Sequence, residues 1–164
     1  MTDVGTNVSV GSVDPELWRA VEPGTPNPRR RLDACRKLND AGIPCGVLMA
    51  PILPFLSDTD EALDETVRAI AEAGATHIAP IVLHLRTGAR EWYLKWLGEH
   101  HPELIPRYEA LYGKRAYAPK EYQSDVSDRV HRLARRYGIG GRARSPNTRR
   151  IPEAPPPPEQ LSLI

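Results

Sequence analysis

Hydrophobic positions along the chain change period several times, and each change marks an element. Thr6 to Val13, TNVSVGSV, is short, β-branched and alternating, which predicts a strand. Asp14-Pro15 opens a helical turn carrying Leu17, Trp18 and Val21. Pro23, Pro26 and Pro28 then crowd one short stretch and withhold backbone donors, so this stretch is a loop. From Arg29 to Asp40 the period lengthens. Leu32, Cys35 and Leu38 fall three apart, opposite a charged face, and Gly42 stops the predicted helix. Ile43 to Pro51, IPCGVLMAP, is a continuous apolar run of the kind found in strands covered on both faces. After a loop over Pro54 to Ser57, Asp58 or Thr59 caps a helix whose buried stripe is Leu63, Val67 and Ile70 and whose stop is Gly74. Thr76 to Leu85, THIAPIVLHL, is a third apolar run.

Strand, helix, Gly stop, repeated, is the rhythm of right-handed βαβ units and predicts a parallel sheet, open or closed into a barrel. Three parallel strands leave two unpaired edges and an uncovered face. The expectation is therefore the carboxy-terminal half of an α/β barrel whose preceding βα units, the amino-terminal half, lie elsewhere. After Arg86 the pattern is helical, with Trp92, Trp96, Leu97, Leu104, Tyr108 and Tyr112 on apolar faces broken by Pro102 and Pro106, and with a last helix from about Ser124 to Tyr137. Past Gly138 the chain turns to Gly, Arg, Ser and Pro, with a polyproline run at Pro155 to Pro158. The organisation read from this is βα units over 4–90, a helical extension over 91–139, and an Arg/Pro-rich tail over 140–164, expected to be disordered or extended.

Composition changes the picture little. The 164 residues suit one domain, and 22 Lys and Arg balance 21 Asp and Glu. That average hides an Arg-rich, acid-free stretch from Arg129 to Arg150 and an acidic one from Asp58 to Glu72. With two cysteines, Cys35 and Cys45, a disulfide framework is not expected and neither is a metal site; both thiols are read as reduced and buried. No export signal or membrane-spanning run is visible, so the expected compartment is the cytoplasm.

Ligands of parallel α/β folds sit beyond the carboxyl ends of strands. That rule selects Asn7, Ser9, Gly11 and Ser12 on the first strand, Met49, Ala50 and Pro51 on the second, and His84 and Arg86 on the third. Asn7, Ser9 and Gly11 share one face, small and polar enough to admit a ribose or an amino-acid moiety, although a serine there is also readily satisfied by nearby backbone. His84 and Arg86 end an apolar strand together and suit an anion or a surface ion pair. His77 lies at the opposite end of its strand and reads as structural, and His100-His101 lacks a third metal ligand. Arg29-Arg30-Arg31 opens a helix, the unfavourable end for positive charge, so one of them, best Arg31, is expected to meet an anion. No residue is singled out as catalytic.

The stretch from Ser9 to Asp58, SVGSVDPELWRAVEPGTPNPRRRLDACRKLNDAGIPCGVLMAPILPFLSD, resembles the second half of the radical S-adenosylmethionine (SAM) proteins related to spore photoproduct lyase. The pieces that carry the likeness are Ser9 to Val13, Glu22-Pro23, Arg31-Leu32, Ala41 to Pro44 and Ala50 to Pro54. The continuation HIAPIVLHLRTGAREWYLKWLGEHHPELIPRYEALYG is similar to an actinobacterial branch of the same group. The resemblance implies the last three strands of a partial (β/α)6 TIM-like barrel. It further implies SAM as cofactor, cleaved reductively to a 5'-deoxyadenosyl radical in lyase-like chemistry with a link to DNA repair. Ser9 and Arg31 would then contact the SAM ribose or carboxylate, Ala50, Pro51 and Ile52 would line the adenine, and His84 and Arg86 complete the expected cofactor-binding set. A 4Fe-4S cluster is expected only in a complete protein. Its Cys-x-x-x-Cys-x-x-Cys motif is absent here, and Cys35 and Cys45 have the wrong spacing, so the chain is expected to be inactive alone. Of the acidic motif that often follows the second strand in the family, only Asp58 is carried over.

The tail carries a different signal. Gln160-Leu161-Ser162-Leu163-Ile164 resembles the bacterial sliding-clamp-binding peptide, with Gln160 for a polar rim and Leu161, Leu163 and Ile164 for an apolar cleft. A stiff proline spacer precedes it, and Arg142, Arg144, Arg149 and Arg150 add possible phosphate contacts. The alternative reading is thus an interaction module that presents a clamp-binding tail near nucleic acid.

Overall fold

The computed structural model describes residues 5–140. Its elements are β1 (Thr6–Ser9), α1 (Pro15–Val21), α2 (Pro28–Asp40), β2 (Cys45–Ile52), α3 (Asp60–Glu72), β3 (Ile78–Val82), α4 (Ala89–His100), α5 (Ile105–Tyr112) and α6 (Lys120–Arg136), with a 3-10 turn at Pro102–Leu104 before α5. The helix starts follow local chemistry. Asp14 accepts from the amides of Glu16 and Leu17 at α1, Asn27 from Arg29 at α2, and Thr59 from Ala62 at α3. Of the two candidate caps for α3, Thr59 is the one used.

The strands form a parallel sheet in the order β1-β2-β3, with Thr6 opposite Cys45 and Val47 opposite Ile78. Right-handed crossovers between neighbouring parallel strands place α2 and α3 on the same side. Cys45, Val47 and Met49 face that side and are fully buried with Leu32, Cys35, Leu63, Val67 and Ile70. The opposite face carries no helix from these crossovers. There Asn7 and Ser9 are exposed, and Leu48, Ala50, Ala79 and Ile81 are half-buried. α6 lies against α3 and the β3 side of the sheet, so the helical region joins the βα units through one continuous core.

This corrects the barrel expectation. The described residues make an open three-strand sheet with six α-helices, not half of a (β/α)6 TIM-like barrel. A βα rhythm specifies parallel pairing and crossover hand, which open and closed sheets share; closure depends on strand number and stagger, and three strands cannot close. β1 and β3 also end earlier than the runs that predicted them, whereas β2 reaches Ile52. β1 stops at Ser9 because Gly11 crosses tightly over Pro51, whose carbonyl leaves no room for a Cβ at Gly11. α6 starts at Lys120, four residues before the expected Ser124, because Pro119 sets the turn into the helix and the polar first turn hides the periodicity. Among the described residues no helix is long and apolar enough to cross a membrane.

Candidate ligand site at the strand ends

The open sheet face meets the carboxyl ends of β1 and β2 at a surface of small residues. The Ser9 hydroxyl donates to the Ala50 carbonyl at 2.9 Å, joining the two strands across this surface. The Ala50–Pro51 peptide is cis, and the ladder shifts register between Met49 and Ile52. Beyond it a shallow depression is lined by Gly11, Ser12, Trp18, Glu22, Pro51 and Leu53. Pro51 is half-buried here, whereas Ile52 is buried and points into the core.

Arg31 belongs to the frame of this surface. Its guanidinium donates to the Pro26 carbonyl at 2.8 Å, the Ser9 carbonyl at 2.8 Å and the Thr25 hydroxyl at 3.0 Å, and pairs with the Glu22 carboxylate at 2.6 Å. The anion expected for an arginine at this helix start is therefore Glu22, from the Glu-Pro loop. Because Ser9 pairs with β2 through its even-numbered neighbours, its carbonyl faces the free edge of the sheet, and Arg31 satisfies it there.

The loop after β2 is held from the far side by tyrosines. Phe55 adopts φ 65°, packs edge-on against Tyr108 and Tyr122, and lies under the Arg107 guanidinium at 3.9 Å. The Tyr108 hydroxyl donates to the Pro54 carbonyl and meets the Tyr93 hydroxyl, while Tyr112 donates to the Leu83 carbonyl. Asp58 is buried, accepts from the Phe55 amide at 2.7 Å and from the Tyr122 hydroxyl, and so closes the loop instead of facing a ligand. Burial pushes the Tyr93 phenol up to about 12, and burial likewise raises Tyr108, Tyr112 and Tyr122. These groups stay neutral donors throughout the physiological range.

His84 and Arg86 do come together, but on a partner that the strand-end rule did not supply. Arg86 donates to the Tyr117 hydroxyl at 2.8 Å, and the His84 ring stands 4.5 Å from the Tyr117 ring at 63°. Tyr117 sits in the α5–α6 loop, which is joined to the β3 loop by the Leu85 amide on the Ala116 carbonyl. Its only trace in the sequence is an isolated aromatic within the basic run GKRAYAPK. His77, read as structural, lies on the open sheet face: its ring covers Gly46, with the Asn7 amide oxygen 2.6 Å from Nε2 and the Thr76 hydroxyl 3.1 Å from Nδ1.

Neither thiol suits a cluster. Cys35 and Cys45 are free and fully buried on the helix side of the sheet. Burial, reinforced by the adjacent Cys45 thiol, pushes Cys35 up to about 12, and both sulfurs are enclosed in the core away from the strand ends. No group of three or more His, Cys, Asp or Glu among the described residues is placed to hold a metal ion. The tail residues Gln160, Leu161, Leu163 and Ile164, and the arginines before them, lie outside the described residues.

The fold and these loops define a parallel α/β unit with a small-residue surface at its strand ends. Uncharacterized proteins of Mycobacterium tuberculosis (strain ATCC 25618 / H37Rv) and Mycobacterium bovis are each 43% identical to it over 138 residues, which make up 84% of this chain and 41% of the relative. An uncharacterized protein of the Acidianus two-tailed virus is 29% identical over 124 residues, 65% of this chain and 41% of the relative. The chain thus spans about two fifths of the length of these curated relatives. No protein-family profile and no solved structure matches it.

Proposed function

We propose that this chain is the SAM-binding portion of a radical SAM enzyme whose iron–sulfur cluster is held by residues other than its own. The observation that carries the reading is the uncovered sheet face ending in Ser9, Gly11 and the Ala50–Pro51 segment, where small side chains let a flat ligand approach backbone closely. The exposed Ser9 hydroxyl, already donating to Ala50, retains acceptor capacity for a ribose hydroxyl. Ala50 and Pro51 line the adenine side. Arg31 acts as a positioning residue, since its donors are committed to Glu22, Thr25, Pro26 and Ser9. The cluster supplies the electron for SAM cleavage in proteins of this kind. The cysteines here do not fit it, and the part proposed for this chain is to bind and orient SAM.

Titrating the isotope-labelled chain with SAM and following its amide resonances tests this. Saturable shifts centred on Ser9, Gly11 and 50–53 are expected. Absence of shifts at millimolar SAM, or shifts confined to other surfaces, would overturn the reading.

A second reading rests on the peptide Gln160-Leu161-Ser162-Leu163-Ile164. In it the chain docks on a sliding clamp through its tail, near nucleic acid that the Arg-rich stretch contacts. Deleting 160–164 should abolish clamp binding; unchanged affinity rejects it.

A further inference from the structure

Two loops at the β3 end of the sheet, 84–90 (HLRTGAR) and 113–120 (GKRAYAPK), contain basic residues and no acidic ones. The fold joins them. Besides the Leu85–Ala116 backbone bond, Arg86 reaches the Tyr117 hydroxyl at 2.8 Å and Arg90 reaches the Arg115 carbonyl at 2.6 Å. Arg86 is thereby held on the Tyr117 ring and Arg90 on the adjoining backbone, and neither forms an ion pair among the described residues, while exposed Lys114 lies on the same loop as Tyr117 and the Arg115 guanidinium turns to the Tyr112 and Leu111 carbonyls. The nearby acid Glu91 is already used, accepting from the Gly88 amide at 2.5 Å. Tyr117 remains 44% exposed although His84 and Arg86 both contact it.

We propose that this surface is a binding site for a phosphate-bearing ligand, separate from the SAM surface. Arg86 and His84 meet the phosphate oxygens, and the open part of the Tyr117 ring packs against the ligand's organic portion. The two acid-free loops carry a net positive field, and the Arg86 guanidinium set beside the His84 ring favours an oxyanion, a phosphate dianion more than a single carboxylate. A guanidinium also offers paired donors matched to phosphate geometry, and the Tyr117 hydroxyl fixes its direction.

The test is calorimetric titration of the full chain at low ionic strength with inorganic phosphate, phenyl phosphate and benzoate. Phenyl phosphate is expected to bind more tightly than inorganic phosphate, and benzoate weakest. Arg86→Gln should weaken both phosphates by about 10-fold. Tyr117→Ala should remove the advantage of the phenyl group. Lys114→Glu, at an exposed loop position that no described contact holds, should weaken both phosphates without lowering the thermal midpoint, which keeps the test independent of folding defects. No phosphate binding, equal binding of benzoate, or binding indifferent to both Arg86→Gln and Lys114→Glu would each overturn the proposal.

Discussion

Replacing Arg31 with Ala should unlock the loop that frames the strand-end surface, with a loss measurable in stability. The side chain makes three hydrogen bonds to oxygen acceptors and one ion pair at 2.6 Å to Glu22, with the two side chains only 16% and 24% exposed. A charge-assisted hydrogen bond contributes roughly 1.5–3 kcal/mol net, and removing one partner of a fully buried pair costs roughly 3–5 kcal/mol. Partial exposure discounts that figure, because water rehydrates Glu22 and the carbonyls. A cost of about 2–4 kcal/mol follows, which for a domain of this size lowers the thermal midpoint by about 6–12 °C. Urea unfolding followed by tryptophan fluorescence reads it directly. A double-mutant cycle with Glu22→Gln then isolates the pair, and the two single costs should exceed the double by about 1–2 kcal/mol. Arg31→Lys should recover only part, since an ammonium cannot span acceptors on Ser9, Glu22, Thr25 and Pro26 together. A loss below about 0.5 kcal/mol in Arg31→Ala would refute the clamp and return Arg31 to the set of residues free to meet a ligand.

Gly11→Ala drives a methyl into the Pro51 carbonyl, a backbone neighbour that cannot swing away; a cost of about 1–3 kcal/mol is expected, with loss of the SAM-induced shifts if that surface binds SAM. The raised tyrosines set an alkaline limit. Their folded values lie above the unfolded value near 10, so the stability they contribute is complete below about pH 10 and is lost as the pH rises through about 12 for Tyr93 and beyond for the others. The urea midpoint should fall between pH 9 and pH 11, and Tyr93→Phe should flatten part of that slope; an unchanged midpoint contradicts the buried network. Cys35 and Cys45 should resist iodoacetamide at pH 8 in the folded chain and react in urea, as counted by mass spectrometry.

The elements of the βα region were legible because their causes are local. Leu32, Cys35 and Leu38 mark the buried side of α2, and Gly42 and Gly74 end α2 and α3 at positive φ. Sheet closure was not legible, since nothing in a three-strand pattern counts strands beyond it. The site divided in the same way. Alternation alone put Asn7, Ser9 and Gly11 on one face, but the continuous apolar run of β2 gave no sign that the face bearing Ala50 is open. The partner of Arg31 could not be chosen from sequence, because Glu22 meets it only after a proline-rich loop has turned back. Tyr117 was invisible for a related reason: it reaches Arg86 across 31 residues through loop pairing that no periodicity encodes.

Tyr108 and Tyr112 stand one turn apart on α5 and hold the carbonyls of Pro54 and Leu83, one in each of the loops that follow β2 and β3. A helix turn does not stretch, so those loops share a common anchor, and displacing one must move the helix or break a buried hydrogen bond. The loop after β2 borders the surface proposed for SAM and the loop after β3 begins the surface proposed for phosphate. Whatever fraction of a ligand's binding energy is spent in shifting one loop is therefore felt at the other. By thermodynamic reciprocity, the factor by which a phosphate ligand alters SAM affinity must equal the factor by which SAM alters the affinity for that phosphate.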